Sequence, residues 1–430
     1  MGLVPRGERY PVSSASTQEL LAISWEMPPL SGPRAVQVTR TLAALAEFGW
    51  RSRTVCFGPR SNRYQQDHKV SLAAISGGRA TLIPVASPEE WLAVRALWRL
   101  APPLKQWPDE KRVWMPGALR AARTALAATP ANVIVSFAPP WSDHLIGLQL
   151  HRETGLPWVA HFADPWIDSP YFPAGALARR RAAQWERAVI GEATHVVFVN
   201  SYARDCVMAK YPDEWRARTA VVPQGFEAPL RPRAAGTEPG PLRMVYTGRF
   251  YNGVRTPDRF LEALALVNKR VALRGRLEVQ FIGSEMAAYT ERAAALRLGH
   301  TVVFSGRVAP QHALECAAGA DVLLVIDAPT DGGPSLFLPS KLVDYLPLRK
   351  PILGITPLQG PSADLLNELG YPVVDPRDVH GIAKLIQELI EYTGRRPGPS
   401  SRHDAVASRY ELRETTRAFA AVLDDAVGAP

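Results

Sequence analysis

Cysteine is scarce: Cys56, Cys206 and Cys316 are the only three in 430 residues, far apart and without a Cys-x-x-Cys pair. Neither a disulfide framework nor a metal site is suggested by that pattern. No stretch reaches the 18 or so uncharged apolar residues of a membrane span, because charges or prolines interrupt each candidate. The first residues lack a signal peptide's apolar core, so a reducing cytoplasm is the expected location. Leu3 to Gly7, Leu-Val-Pro-Arg-Gly, reads as a protease-cleavage tag and stays outside the fold reasoning. Zinc spacings and RNA-binding aromatic signatures are missing and the basic residues are dispersed, so nucleic acid is not an expected partner. The Gly-x-Gly-x-x-Gly turn of a two-domain dehydrogenase is missing as well.

What is present is ample for large cores. Apolar residues make up 47% of the chain, and its length favours two or three domains. Lys and Arg outnumber Asp and Glu by 50 to 41, a balance of +9 that suits phosphorylated ligands or an anionic membrane. Short β-like runs alternate with helical stretches: Leu20 to Trp25, Arg53 to Phe57, Thr81 to Val85, Val133 to Phe137, Trp158 to Phe162 and Val196 to Asn200 read as strands. Pro33 to Phe48, Pro88 to Leu100, Ala118 to Ala128, Trp141 to Glu153 and Ala176 to Glu192 read as the helices between them. Such alternation implies right-handed crossovers and a parallel sheet.

Residues 228–241 carry four prolines and two glycines and read as a linker, after which the alternation restarts at Leu242. Its strands are Leu242 to Thr247, Leu277 to Ile282, Thr301 to Phe304, Val322 to Ile326, Ile352 to Ile355 and Pro372 to Val374. The expected fold is α/β: two Rossmann-like parallel-sheet domains facing across a cleft. They span residues 8–227 and 242–396, and a tail over 397–430 carries an amphipathic helix from about Ala405 to Val427 that returns to the first domain.

The second half is organised around Gly332 to Ile355, which lies between two apolar strands. There a Gly-Gly-Pro turn precedes a helix opening at Pro339 or Ser340 with Lys341 in its first turn. In an open parallel sheet the ligand sits outside the carboxyl ends of the strands, and a lysine there suits phosphate. Asp344, on the face of Lys341, could hold ribose hydroxyls. An ordinary crossover with surface charges explains the same residues.

Thr247-Gly248-Arg249-Phe250-Tyr251-Asn252-Gly253-Val254-Arg255, together with Pro339-Ser340-Lys341-Leu342-Val343-Asp344, resembles the retaining GT-B glycosyltransferases of family 4 type, from about Leu20 to Leu389. The resemblance implies that Gly248, Arg249, Arg255, Gly333, Pro334, Ser335, Ser340, Lys341 and Asp344 bind a nucleoside diphosphate sugar. Gly32, in Pro29-Leu30-Ser31-Gly32-Pro33-Arg34, would face the donor phosphate, although one glycine of the usual pair is missing. His161-Phe162-Ala163-Asp164-Pro165-Trp166 resembles the acceptor-side segment, giving His161, Asp164 and Trp166 as acceptor residues. Asp164, Arg249, Arg255 and Lys341 would carry the chemistry. The family's first glutamate falls on Leu336, and Asp327 or Asp331 could substitute only if the preceding loop folds inwards. Pro223-Gln224-Gly225-Phe226 departs from the usual Asn-Gly, and no chemistry is assigned to it.

The implied function is sugar transfer to an acceptor hydroxyl on a sugar, glycolipid or other molecule, without cofactor or metal. No Asp-x-Asp stands where a donor would need it; Asp164 to Asp168 is a poor match. A sugar-nucleotide epimerase and a catalytically silent subunit are the alternatives. Trp91, Val94, Trp98 and Ala101 at helical spacing, beside Arg95 and Arg99 and followed by Lys105 and Trp107, suit either a membrane interface or packing on the first sheet.

Overall fold

The computed structural model describes residues 17–428 apart from 62–63, 65, 67–75, 103–106, 173–174, 228–239, 252, 284–286, 307 and 392–397. The linker expected over 228–241 therefore lies almost wholly outside the described residues, as do Lys105 and the tag.

Apolar runs become strands where the sequence analysis places them. The first sheet contains β1 (Gln18–Ile23), β2 (Trp50–Phe57), β3 (Ala80–Val85), β4 (Val133–Ala138), β5 (Trp158–Phe162), β6 (His195–Phe198) and the three-residue β7 (Thr219–Val221). Its order is β3-β2-β1-β4-β5-β6-β7, and β1 runs parallel to both β2 and β4. β7 is too short and too little apolar to have been found from the sequence. β4 and β5 are buried along their whole length, as expected for strands covered by helices on both faces.

The second sheet contains β8 (Leu242–Thr247), β9 (Leu277–Ile282), β10 (Val302–Phe304), β11 (Val322–Ile326), β12 (Ile352–Ile355) and β13 (Val373–Val374). Its order is β10-β9-β8-β11-β12-β13, with every pairing parallel. Counted from its own first strand this is the order 3-2-1-4-5-6, the doubly wound arrangement. The order reverses between β8 and β11, so the two loops leaving those strands diverge and open a crevice at their carboxyl ends. The two faces of this sheet are covered by separate apolar layers, one around Phe260, Leu264 and Phe281, the other around Leu342, Leu346 and Leu366.

The chain divides into two compact units. One comprises Met1–His161, Pro173–Val196 and Phe419–Pro430; the other comprises Phe162–Phe172 and Val197–Ala418. The C-terminal helix returns to the first unit: Phe419 packs on Phe137 and His161 at ring distances of 6.1 and 5.8 Å. Trp50 Nε1 donates to Asp424 at 3.1 Å, and His195 meets Asp425 at 3.0 Å.

Two helices differ from the expectation. The tail is a short helix, His403–Ala407, a single tight turn, and then Leu412–Gly428. The break arises because Phe226 exchanges backbone hydrogen bonds with Tyr410 and Leu412, which pulls Glu411 into extended geometry. Pro88 to Leu100 is likewise split, because Trp91 is extended at φ −74° and ψ 140° between a tight turn and the helix Leu92–Leu100. Trp91 is therefore not on the helical face of Trp98, and the two part company: Trp98 is buried and Trp91 exposed.

The return of the C-terminal helix is testable. Phe419 is fully buried, so Phe419→Ala should cost about 3–5 kcal/mol of stability in a denaturant titration of the first unit's transition.

Candidate active site

At the switch point of the second sheet, β8 ends at Thr247 and the chain turns through Gly248 with φ +116°. That backbone conformation is open to glycine and costly to other residues. A Cβ on Gly248 would stand 2.8 Å from Lys341 Nζ, so the missing side chain leaves room for an ammonium. Lys341 comes from the helix Ser340–Tyr345 that follows β11. Its Nζ lies 3.5 Å from the centroid of the Tyr246 ring. The ammonium is sealed from solvent and has no hydrogen-bond partner among the described residues. Burial, and then repulsion from Arg255, hold its pKa well below the ordinary lysine value, with Asp327 acting against the shift.

Arg255 is brought to the same place by a tight hairpin in which it exchanges backbone hydrogen bonds of 2.9 Å with Tyr251. Its guanidinium sits 4.9 Å from the Tyr251 ring and donates to the Arg249 carbonyl at 2.9 Å, while its Nε has no partner among the described residues. Arg249 itself is exposed on the same turn. Tyr345 ties the two loops together, its hydroxyl accepting from Thr247 N at 2.9 Å. Asp344, the preceding residue, is half-buried.

Asp327 stands at the carboxyl end of β11. It is buried, accepts from Thr356 Oγ1 at 2.9 Å, and is raised in pKa by burial against the pull of Arg255 and Lys341. Asp331 is instead fully exposed and paired with Arg377 at 2.6 Å. Of the two acidic residues offered as substitutes for the missing glutamate, Asp327 alone comes close to the cations. Leu336, at the vacated position, presents its carbonyl to Asn200 Nδ2 at 3.0 Å. Gly333 and Pro334 are exposed; the Gly-Gly-Pro turn is tied by Thr330 Oγ1, which donates to the Gly333 carbonyl at 2.9 Å, and beyond it by the buried Ser335, whose N–H meets the Gln359 carbonyl at 2.8 Å. Ser340 is half-buried in the first turn of the Lys341 helix.

Sequence reasoning missed Tyr246 and Tyr171. Tyr246 ends up beneath the ammonium because residues two apart on β8 point to one face, and only the sheet order shows which helix lies over them. Tyr171 belongs to the segment Phe162–Phe172 of the same unit and stacks on Phe337 at 5.3 Å. Its phenol is raised in pKa by burial and lies within electrostatic reach of Arg255, Asp327 and Asp164. Asp164 is half-buried, whereas Trp166 is fully buried and acts as a core aromatic.

In the first unit, Gly32 caps the helix Pro33–Ala44, and a Cβ there would meet Glu26 Oε2 at 2.9 Å. Arg34 is buried and donates to the Ala138 carbonyl at 2.9 Å, with the His161 Nδ1 at 3.2 Å. Burial and Arg34 push the His161 pKa well below its usual value, so the imidazole is neutral and serves as part of this scaffold. Among the described residues no three His, Cys, Asp or Glu side chains are grouped as a metal ion would need.

Gly248→Ala should cost about 1–3 kcal/mol through backbone strain and displace the ammonium from its niche. The stability of the unliganded protein should also depend on Lys341. The unfolded chain keeps that proton to about pH 10, whereas the folded state releases it earlier, so the folded form binds fewer protons in between. Stability therefore rises with pH across that window, and the full cost of the buried ammonium is present below it. Lys341→Met should flatten the rise in chemical denaturation followed across pH.

By sequence, residues 35–225 match the family model for a glycosyl transferase 4-like domain. Among curated proteins none matches the chain. The fold is shared with sucrose-phosphate synthase from Thermosynechococcus elongatus, at 16% identity and TM-score 0.67, covering 96% of this chain and 100% of that one. It is shared with a glycosyltransferase from Rickettsia africae at 11% identity and TM-score 0.67, covering 97% and 100%. Anabaena HepE, solved in complex with UDP, aligns at 15% identity and TM-score 0.65, covering 95% and 100%. Residues 35–225 thus match a glycosyl transferase 4-like domain, and the chain as a whole has the two-sheet parallel α/β fold of the GT-B proteins it is similar to.

Proposed function

We propose that this glycosyltransferase moves a sugar from a nucleoside diphosphate sugar to an acceptor hydroxyl with retention of configuration, in the synthesis of a glycan, polysaccharide or glycolipid. The observation that carries the reading is the buried, unpartnered Lys341 ammonium beside Gly248, with Arg255 on the neighbouring turn. A cation held out of water without a partner is costly, and an anion is the ligand that relieves it. Two cations converging at a sheet switch point suit a diphosphate, since phosphate oxygens accept from an ammonium and from a guanidinium together. HepE was solved in complex with UDP, and an Escherichia coli trehalose-6-phosphate protein with UDP-2-fluoro glucose, each on this fold.

In this reading Lys341 and Arg255 stabilise the charge that grows on the leaving diphosphate, which removes the need for a metal. Gly248, Arg249, Gly333, Pro334, Ser335 and Ser340 line the phosphate and sugar region, and Asp344 takes the ribose hydroxyls. Asp327 supplies the carboxylate that Leu336 does not, towards the donor sugar or as counter-ion to the cations. Gly32, His161, Asp164 and Trp166 are assigned to the acceptor side, with His161 and Trp166 holding the wall and Asp164 orienting the hydroxyl. No helix among the described residues is long and apolar enough to cross a membrane. The chain is placed in the cytoplasm, in peripheral contact with the inner face of the membrane.

Arg255→Ala and Lys341→Ala should each lower turnover by about a hundredfold or more while the fold persists. Asp344→Asn should weaken nucleotide affinity with a smaller effect on turnover, because charge develops on phosphate and not on ribose. Binding of UDP, GDP, ADP or TDP should restore the Lys341 proton, so calorimetry in buffers of different ionisation enthalpy should show proton uptake. Wild-type affinity and turnover in both alanine variants would place the donor elsewhere.

A further inference from the structure

Two large aromatic side chains beside the cations are left half in water: Tyr171 is 50% exposed and Tyr251 57%. The Arg255 guanidinium lies 4.9 Å from the Tyr251 ring, and Tyr171 is within electrostatic reach of Arg255, Asp327, Asp164 and Tyr251. Tyr171 is not a loose surface ring. Its segment, Phe162–Phe172, belongs to the second unit and is fastened by the fully buried Trp166 and by an ion pair between Asp168 and Lys210. Phe172 N then donates to the Ser169 carbonyl at 2.9 Å, which closes a turn with Tyr171 inside it.

The ring is held on one face by Phe337, stacked on it at 5.3 Å with 24° between the planes. Phe337 is half-buried and comes from the loop that carries Lys341, four residues ahead of it. Between Ser335 and Pro339 that loop reads Leu336-Phe337-Leu338, so it brings apolar surface and neither hydroxyl nor charge. With Phe337 covering one face, the rest of the Tyr171 ring is what stays open to a ligand. An aromatic surface set among charged groups suits a ligand that is polar at its edge and apolar on its face. A pyranose ring is such a ligand, because its axial C–H bonds present weakly positive hydrogens to the negative face of an aromatic ring.

We infer that Tyr171, backed by Phe337, is a specificity-determining platform on which the hexopyranose of the donor stacks by its C–H face, an inference that rests on the nucleoside diphosphate sugar reading. In that reading Lys341 and Arg255 take the diphosphate, Asp344 the ribose and Asp164 the acceptor hydroxyl. The transferred sugar then lies between diphosphate and acceptor, and Tyr171 is within reach of both Arg255 and Asp164. The nucleoside falls elsewhere: Asp344 follows Lys341 along its helix, whereas Phe337 precedes it in the loop. Because Phe337 fixes the ring before the sugar arrives, little side-chain freedom is lost on binding.

The test is calorimetric titration of the full chain and its variants with UDP, GDP, ADP and TDP, and with the glucose ester of each. Wild type should bind at least one of the diphosphates together with its ester. Tyr171→Ala should weaken the ester by about tenfold and leave the free diphosphate within about twofold. Tyr171→Phe should keep both affinities, since the ring and not the hydroxyl does the holding. Phe337→Leu should weaken the ester by about threefold, with the diphosphate again unchanged, because the ring loses its support. Retained diphosphate affinity shows on the same sample that a variant is folded. Unchanged ester affinity in Tyr171→Ala overturns the inference. So does an equal loss in Tyr171→Phe, which would assign the role to the hydroxyl, and so does an equal loss of diphosphate and ester in both Tyr171→Ala and Phe337→Leu, which would put the ring against the nucleotide. A wild type that binds none of the diphosphates sinks the donor reading itself, whereas diphosphate binding with an ester affinity indifferent to Tyr171→Ala sinks the platform alone.

Discussion

A lysine ammonium held out of water, with no hydrogen-bond partner among the described residues, is the constraint from which the second unit's site follows. Lys341 lies over the Tyr246 ring, and that contact recovers part of the lost hydration through the ring's negative face. The contact is possible because position 248 has no side chain. Arg255 raises the cost of the ammonium and Asp327 lowers it, so the three groups act as one electrostatic unit. With the Lys341 amine protonated, the three groups carry one excess positive charge. A bound diphosphate would reverse the sign of that excess, and groups fixed in place before an anion arrives are the condition under which charge stabilisation costs least.

The scaffold explains why these groups meet although they are distant in sequence. Gly248 and Asp327 directly follow β8 and β11, which are neighbours in the sheet but are separated by two strands and three crossovers in the chain. Lys341 enters through the helix after β11, and Tyr345 on that helix locks it to the end of β8 through Thr247. A shift in strand register would move both strand ends and break the Lys341–Gly248 approach together with the Tyr345 bond. The stability of the parallel sheet and the geometry of the cations are in this sense the same property.

Much of this was legible in the sequence because buried parallel strands are short, apolar and bounded by turn residues. β8, β9, β11 and β12 fall at the expected limits. Lys341 and Arg255 could be singled out because each follows directly on such a strand. What could not be read was depth. Nothing in the residue string distinguishes Trp166, wholly buried, from Trp91, largely exposed, or Asp327, sealed against Thr356, from Asp331, open on a loop. Those differences depend on which strand is neighbour to which, and that is set by long-range pairing. The break in the C-terminal helix has the same origin: its residues favour helix throughout, and the interruption comes from the hydrogen bonds of Phe226.

The helix Leu92–Leu100 shows how one backbone torsion changes the meaning of a hydrophobic pattern. Had Trp91 been helical, the stripe Trp91, Val94, Trp98 and Ala101 would have formed a single face, and its burial on the sheet would have satisfied it. The extended ψ of 140° at Trp91 ends that continuity. Trp98 takes the inward position and Arg95 is drawn partly inward beside it, which leaves the leucines on the outside. Three leucines along nine residues are thereby left in contact with water, an arrangement imposed by the torsion at Trp91 and not by the spacing of the apolar residues.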